Sequence, residues 1–166
     1  MDDYAKAVAA SAPTAYWRLR ESAKDQGPKS RHGKFEKGAG IAADNPNSDT
    51  FKGGRMRAEM DGIGDTYSIE FWVRNSVPTH SRPVTAYLFS RGIDGMKDAE
   101  GDHLGIGGTH AAEGCLIVYH GNRNGGLLTG RAKLELESWH HLVMVREGEQ
   151  IRVYLNGNPK PEIDGK

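Results

Sequence analysis

Two pairs of carboxylates, seven histidines and one tryptophan-bearing strand are the places in this sequence with chemistry to offer. Cleaving a glycosidic bond takes two carboxylates flanking it, one as acid and one as nucleophile or base. Glu59 and Asp61 stand two residues apart, as do Glu135 and Glu137. On a strand either pair would share a face. No second glutamate continues the first pair, which runs into Gly62-Ile63-Gly64, and the second leads directly into a hairpin. Both read as solvated edges, so the sequence is that of a protein that is not an enzyme. The histidines give no metal site. His140 and His141 are adjacent, so on a strand they point to opposite faces, and His103, His110 and His120 lie in separate segments without zinc spacing. His141 shares a face with Trp139 and Val143 and reads as a satisfied, partly buried histidine. Cys115 is the single cysteine, so no internal disulfide forms, and its run "GCLIVYHG" reads as a buried, inert thiol. There is no G-x-S-x-G nucleophile motif. The glycines of "GIGG" (105–108) are not followed by the helix a phosphate site needs.

Binding is a different matter. In "YSIEFWVRNS" (67–76), Tyr67, Ile69, Phe71 and Val73 share one face, which puts Glu70, Trp72 and Arg74 on the other. A ring that stacks on sugar C–H faces, beside bidentate groups for hydroxyls, is what a glycan surface needs. The competing reading is structural: Trp72 packs under a loop and Arg74 pairs with Glu70. A second candidate is a polar rim on the loops of 91–103 and 120–126, built from Arg91, Asp94, His120, Asn122, Arg123 and Asn124. Its competing reading is ordinary turn chemistry, since Asn-Gly and Asp-Gly make turns.

The elements that must hold these residues are mostly strands. A chain of 166 residues fits one domain spanning 1–166. Its 22 basic and 22 acidic residues cancel, without the basic excess a nucleic-acid partner selects. No apolar run reaches membrane-spanning length. The start "MDDYAKAVAASAP" lacks the basic region and apolar core of a signal peptide, so an exported parent would make this chain an excised module. "DDYAKAVAASAP" predicts a short helix stopped by Pro13, and "AYWRLRE" (15–21) a strand. Residues 22–54 predict a long irregular region with one or two short strands. Strands follow at 66–74, 84–92, 102–108 and 114–122. "SWHHLVMVREGEQIRVYLNG" (138–157) is a hairpin: two alternating runs around Glu-Gly-Glu-Gln, closed by the turn signal Asn156-Gly157. Short strands with almost no helix predict an antiparallel sandwich or barrel.

Three segments carry a family resemblance. "PTAYWRLRESAKDQGPKSRHG" (13–33), "YSIEFWVRNS" and the 138–157 hairpin are similar, in order and spacing, to bacterial laminin-G-like domains of the concanavalin A-like group. The resemblance implies an all-β fold, a two-sheet antiparallel jelly roll. It implies a non-catalytic module that recognises a glycan or a partner protein, within a larger exported bacterial protein: periplasmic, cell-surface or secreted. The alternative is a structural spacer or assembly domain; a glycoside hydrolase comes third, since the Glu-x-Asp-x-(x)-Glu strand of retaining relatives is not here. Relatives often hold calcium at the sandwich rim, and the matching turn, Asp25-Gln26-Gly27, makes Asp25 the one ligand carried over; a turn aspartate without an ion is the other reading. The Glu-x-Trp-x-Arg pattern is widespread in the group, which favours packing for Trp72. Relatives also continue past the hairpin, whereas this chain stops at "NPKPEIDGK". The expectation is therefore a truncated domain, or a last strand supplied from elsewhere, with an open edge that invites edge pairing or a strand-swapped dimer.

Overall fold

The computed structural model describes residues 3–19, 22–41, 49–93, 101–121 and 126–166. The chain divides into two compact units, residues 1–62 and 63–166.

The first unit opens with helix α1, Asp3–Ala10. Asp3 in its first turn faces the positive end of the helix dipole and also takes Lys6 at 3.0 Å. The strand expected at 15–21 is reduced to a single bridge, Trp17 with Asp25. Leu19 adopts a left-handed φ of 50°, which no strand continues through. The glycine- and lysine-rich region holds more order than its composition suggests: β1 (Lys34–Glu36), β2 (Ala39–Ile41), β3 (Asp49–Phe51) and β4 (Arg55–Arg57) form two small antiparallel pairs, β1 with β4 and β2 with β3. Phe35 and Phe51 meet edge to face at 6.4 Å, a contact that binds the two ribbons together.

The second unit is a sandwich of two four-stranded antiparallel sheets. One has the order β12-β11-β10-β5, from Ile163–Gly165, Gln150–Leu155, Trp139–Glu147 and Thr66–Arg74. The other has the order β6-β7-β8-β9, from Val84–Arg91, Gly101–Gly107, Cys115–Gly121 and Leu128–Lys133. Alternation decides what each strand buries. Leu142 and Met144 of β10, Ile151 and Val153 of β11 and Ile163 of β12 face Leu104 and Ile106 of β7 and Leu116 and Val118 of β8. All are at most 3% exposed, and they form one core. Tyr67, Ile69, Phe71 and Val73 of β5 join it as the alternation requires.

Turn chemistry pins the register. Glu147 pairs with Gln150 across a two-residue loop that starts with Gly148 at φ 61°, a conformation glycine adopts without strain. After β11, Asn156 and Gly157 take φ 52° and 73°, and Asn158 N–H closes the turn on Leu155 carbonyl at 3.0 Å. The chain then returns to lay β12 beside β11. Just before β12, Glu162 Oε1 accepts from the backbone amides of Arg131 and Ala132 on β9, tying the two sheets at that side.

Candidate functional site

The outer face of β5 and β10 brings together the residues expected around Trp72. His141 lies directly opposite Trp72 in the register, Val143 opposite Glu70 and Trp139 opposite Arg74. The His141 ring stacks beside Trp72, with centroids 5.0 Å apart and planes tilted by 34°. Its Nε2 is 3.0 Å from Glu70 Oε1, so the carboxylate orients the imidazole. The backbone N–H of His141 donates to Asn156 Oδ1 at 2.9 Å, which locks β10 to the turn after β11. Trp72 stays 51% exposed and Trp139 46%. Arg74 pairs with Glu137 at 3.7 Å. Glu137 is held there because the turn before β10 hydrogen-bonds back to Asn75 carbonyl at 2.8 Å, beside Arg74.

The polar rim resolves differently. Asp94, Asn122, Arg123 and Asn124 lie outside the described residues. Arg91 and His120 do come together, but on a buried carboxylate outside the expected rim. Asp102, fully buried at the start of β7, receives Arg146 Nη1 at 2.6 and 2.5 Å, the Tyr67 hydroxyl at 2.6 Å and His120 Nδ1 at 2.6 Å. Arg91 Nη1 approaches it at 3.7 Å, and the Arg91 guanidinium lies over the Tyr67 ring at 4.9 Å. Asp102 and His120 belong to one sheet, Tyr67 and Arg146 to the other, so these bonds cross the sandwich. Burial pushes the Asp102 carboxyl up; the donors Arg146, Tyr67 and His120 outweigh it and hold it below its ordinary range. Burial, then the ionised Asp102, pushes the Tyr67 hydroxyl up. With Asp102 ionised, His120 must donate through Nδ1. Its Nε2 is buried without a hydrogen-bond partner, beside a cavity of about 220 Å³ lined by Val118, Leu128, Arg146 and Ile151. The signal for this cluster was available: Asp102 is in step with Leu104 and Ile106, and Arg146 with Leu142 and Met144. Each is a charge on a core-facing position, waiting for its counterpart.

The remaining expectations find plainer roles. Asp25 is buried, and its carboxylate accepts from the amides of Tyr16, Gly27 and Arg31, each at 2.7 Å. Burial pushes its pKa up, the three amides pull it down, and the net shift is downward. Gly27 allows this, since a Cβ there would stand 2.9 Å from Asp25 Oδ1. Calcium needs oxygen ligands, and the three backbone groups on this carboxylate are N–H donors, so the surroundings of Asp25 do not fit the ion. Among the described residues no three His, Cys, Asp or Glu side chains gather into a metal-binding group. Glu59 and Asp61 follow β4 outside any strand, so alternation does not aim them at a groove. Glu59 faces Arg57 at 3.6 Å, and Glu135 accepts from Ser138 at 3.3 Å. His140, not His141, is the buried member of its pair, with Nε2 3.2 Å from Glu135 carbonyl. Cys115 is half-buried on an outward position of β8 rather than in the core.

The laminin-G-type model of the concanavalin A-like lectin/glucanases superfamily matches residues 41–166. The chain belongs to that superfamily. The match takes in all of the sandwich, including β12. Among solved structures, domain 4 of AbnA, a GH43 extracellular arabinanase from Geobacillus stearothermophilus solved in complex with arabinotriose, superimposes with a TM-score of 0.60. It is 17% identical, over 92% of this chain and 74% of that one, a likeness of fold. No curated protein sequence matches. The superfamily includes both glycoside hydrolases and binding modules, so membership fixes the scaffold and leaves the activity to the site. No described helix is long and apolar enough to cross a membrane.

Proposed function

We propose that this protein is a non-catalytic carbohydrate-recognition module that binds glycan on the outer face of β5 and β10. The observation that carries this reading is Trp72: half exposed, backed by the His141 ring, with Glu70 fixing that ring's orientation. An indole held this way offers a flat apolar surface to the C–H face of a sugar, and immobilising it beforehand lowers the entropy cost of binding. Glu70 and Arg74 flank it on the same face of β5, a carboxylate and a guanidinium that suit hydroxyls. Such a module works where polysaccharide is found, as part of a larger exported bacterial protein. The related arabinanase domain makes arabinotriose the first oligosaccharide to try.

The test is an array of polysaccharides and oligosaccharides, arabinotriose included, probed with the protein and with Trp72→Ala, in calcium and in chelator. The reading expects a bound glycan, loss of at least about tenfold in affinity, roughly 1.4 kcal/mol, in the variant, and no change on chelation. A folded protein that binds nothing, or a variant that binds as well as the parent, overturns it and leaves the domain as a spacer or a protein-docking module.

A further inference from the structure

The other sheet of the sandwich carries an aromatic surface of its own. Tyr87 of β6, His103 of β7 and Tyr119 of β8 lie on three successive strands, all on the side away from the core. The register makes this so: Asp102, Leu104 and Ile106 point inward, so His103 points outward, and Tyr119 sits directly opposite it. Tyr87 is paired with Gly105, and a Cβ on Gly105 would stand 3.4 Å from the Tyr87 ring, so the ring lies over bare backbone. Tyr87 and His103 have centroids 5.7 Å apart, and His103 and Tyr119 6.0 Å, the latter pair inclined by only 26°. Tyr87 is 56% exposed and Tyr119 39%. A scatter of single exposed aromatics needs no explanation, but three contiguous rings on adjacent strands make a patch.

The polar groups around this patch suit a hydroxylated ligand. His103 Nδ1 is 3.0 Å from Ser90 Oγ, which fixes the ring and leaves Nε2 for a partner outside the protein. Burial lowers the His103 pKa, so the imidazole is neutral at pH 7 and Nε2 exchanges a hydrogen bond with a neutral hydroxyl at no charge cost. The phenol oxygens of Tyr87 and Tyr119 each offer a donor and an acceptor. The row crosses the strands, so a ligand lying along it runs over several strands and meets successive rings.

We propose that Tyr87, His103 and Tyr119 form a second sugar-stacking site, giving the sandwich one on each outer face. The ligand class is a neutral oligosaccharide of at least two rings, laid across β6, β7 and β8. Two sites on opposite faces of a single unit let one module bridge two glycan chains. The proposal rests on the carbohydrate reading above, but it has its own residues and can stand or fall separately.

Backbone-amide NMR titration of the full chain with arabinotriose, xylotriose and cellotriose tests it. The expected result is shifts in two separate groups of amides, one around residues 103–107 and 117–119, the other around 70–74 and 139–143. Trp72→Ala should erase only the second group. Tyr87→Ala with Tyr119→Ala should erase only the first and reduce its apparent affinity about tenfold or more. Soluble linear arabinan should then aggregate with the parent protein and with neither variant. Shifts confined to 70–74 and 139–143 overturn the second site and leave the first. Shifts confined to 103–107 and 117–119 uphold this site and overturn the Trp72 reading. Saturating sugar that shifts neither group overturns both. Thermal midpoints matching the parent confirm that each variant is folded.

Discussion

Two histidines in this sandwich are each oriented by a carboxylate, and they do different things. His120 meets Asp102 at 2.6 Å inside the protein; His141 meets Glu70 at 3.0 Å on its surface. The buried pair is part of a closed set. Asp102 also takes Arg146 and Tyr67, and the set spans both sheets. An ion taken out of water this completely must be compensated in place, so the groups that meet Asp102 are committed to it. The surface pair is backed by water and by the Trp72 ring. It contributes little to stability, and it leaves an indole and polar edges facing outward. The same two residue types thus clamp the fold in one place and present a surface in the other. Burial is the variable that separates them.

The comparison breaks most easily at Asp102. Asp102→Ala leaves Arg146 buried without its counter-charge and should cost about 3–5 kcal/mol, read as a fall in the denaturant midpoint. A loss below about 1 kcal/mol, the range of exposed pairs, would sink the distinction. Acid is the next lever. The Asp102 carboxyl titrates lower folded than unfolded, so its contribution is complete above the unfolded value near 4 and is lost as pH falls through the folded one. Stability of the parent should therefore decline below about pH 4, and Asp102→Asn should flatten that part of the curve. Tyr67→Phe removes one buried donor to the carboxylate and should cost about 1.5–3 kcal/mol, as for a hydrogen bond to a charged group. On the surface, Glu70→Gln should shift stability by at most about 1 kcal/mol while weakening glycan binding through a less fixed His141. Smallest of all, Trp72→Ala should leave the thermal midpoint within the spread of ordinary surface substitutions, about 0.5 kcal/mol; a large loss would mean that the indole is packing after all.

Much of the sandwich was legible because its signals are local. The alternation of 66–74 and 138–157, and the turn residues Gly148, Asn156 and Gly157, fix strands and register without outside help. Strand β9, Leu128–Lys133, was missed because its sequence "LTGRAK" has one large apolar residue, and its outer side faces water. The four three-residue strands before residue 58 fell within or beside a stretch rich in glycine, lysine and asparagine. Such short strands are made by pairing, which no window of sequence displays. At the candidate site, Trp72 with Glu70 was visible as a polar face. Its neighbour His141 is partly buried and satisfied, as expected, but its contact with Trp72 was not visible, because 69 residues separate the two and only the β5–β10 register brings them together. Asp25 shows the reverse: its turn is legible in the sequence, but the three amides that occupy its carboxylate, in place of the calcium the resemblance implies, are brought there by the fold.

By itself, then, the sequence determined strands β5 to β8, β10 and β11, the inward face of the clearest of them, and the family, because side-chain periodicity and turn chemistry act over a few residues. Tertiary structure alone decided which charges meet. Asp102, Arg146, Tyr67 and His120 lie on four strands, as do Tyr87, His103 and Tyr119 on three. Their association depends on strand order and on the packing of one sheet over the other, and those are settled by burying the core as a whole, not by any residue's own neighbours in the chain.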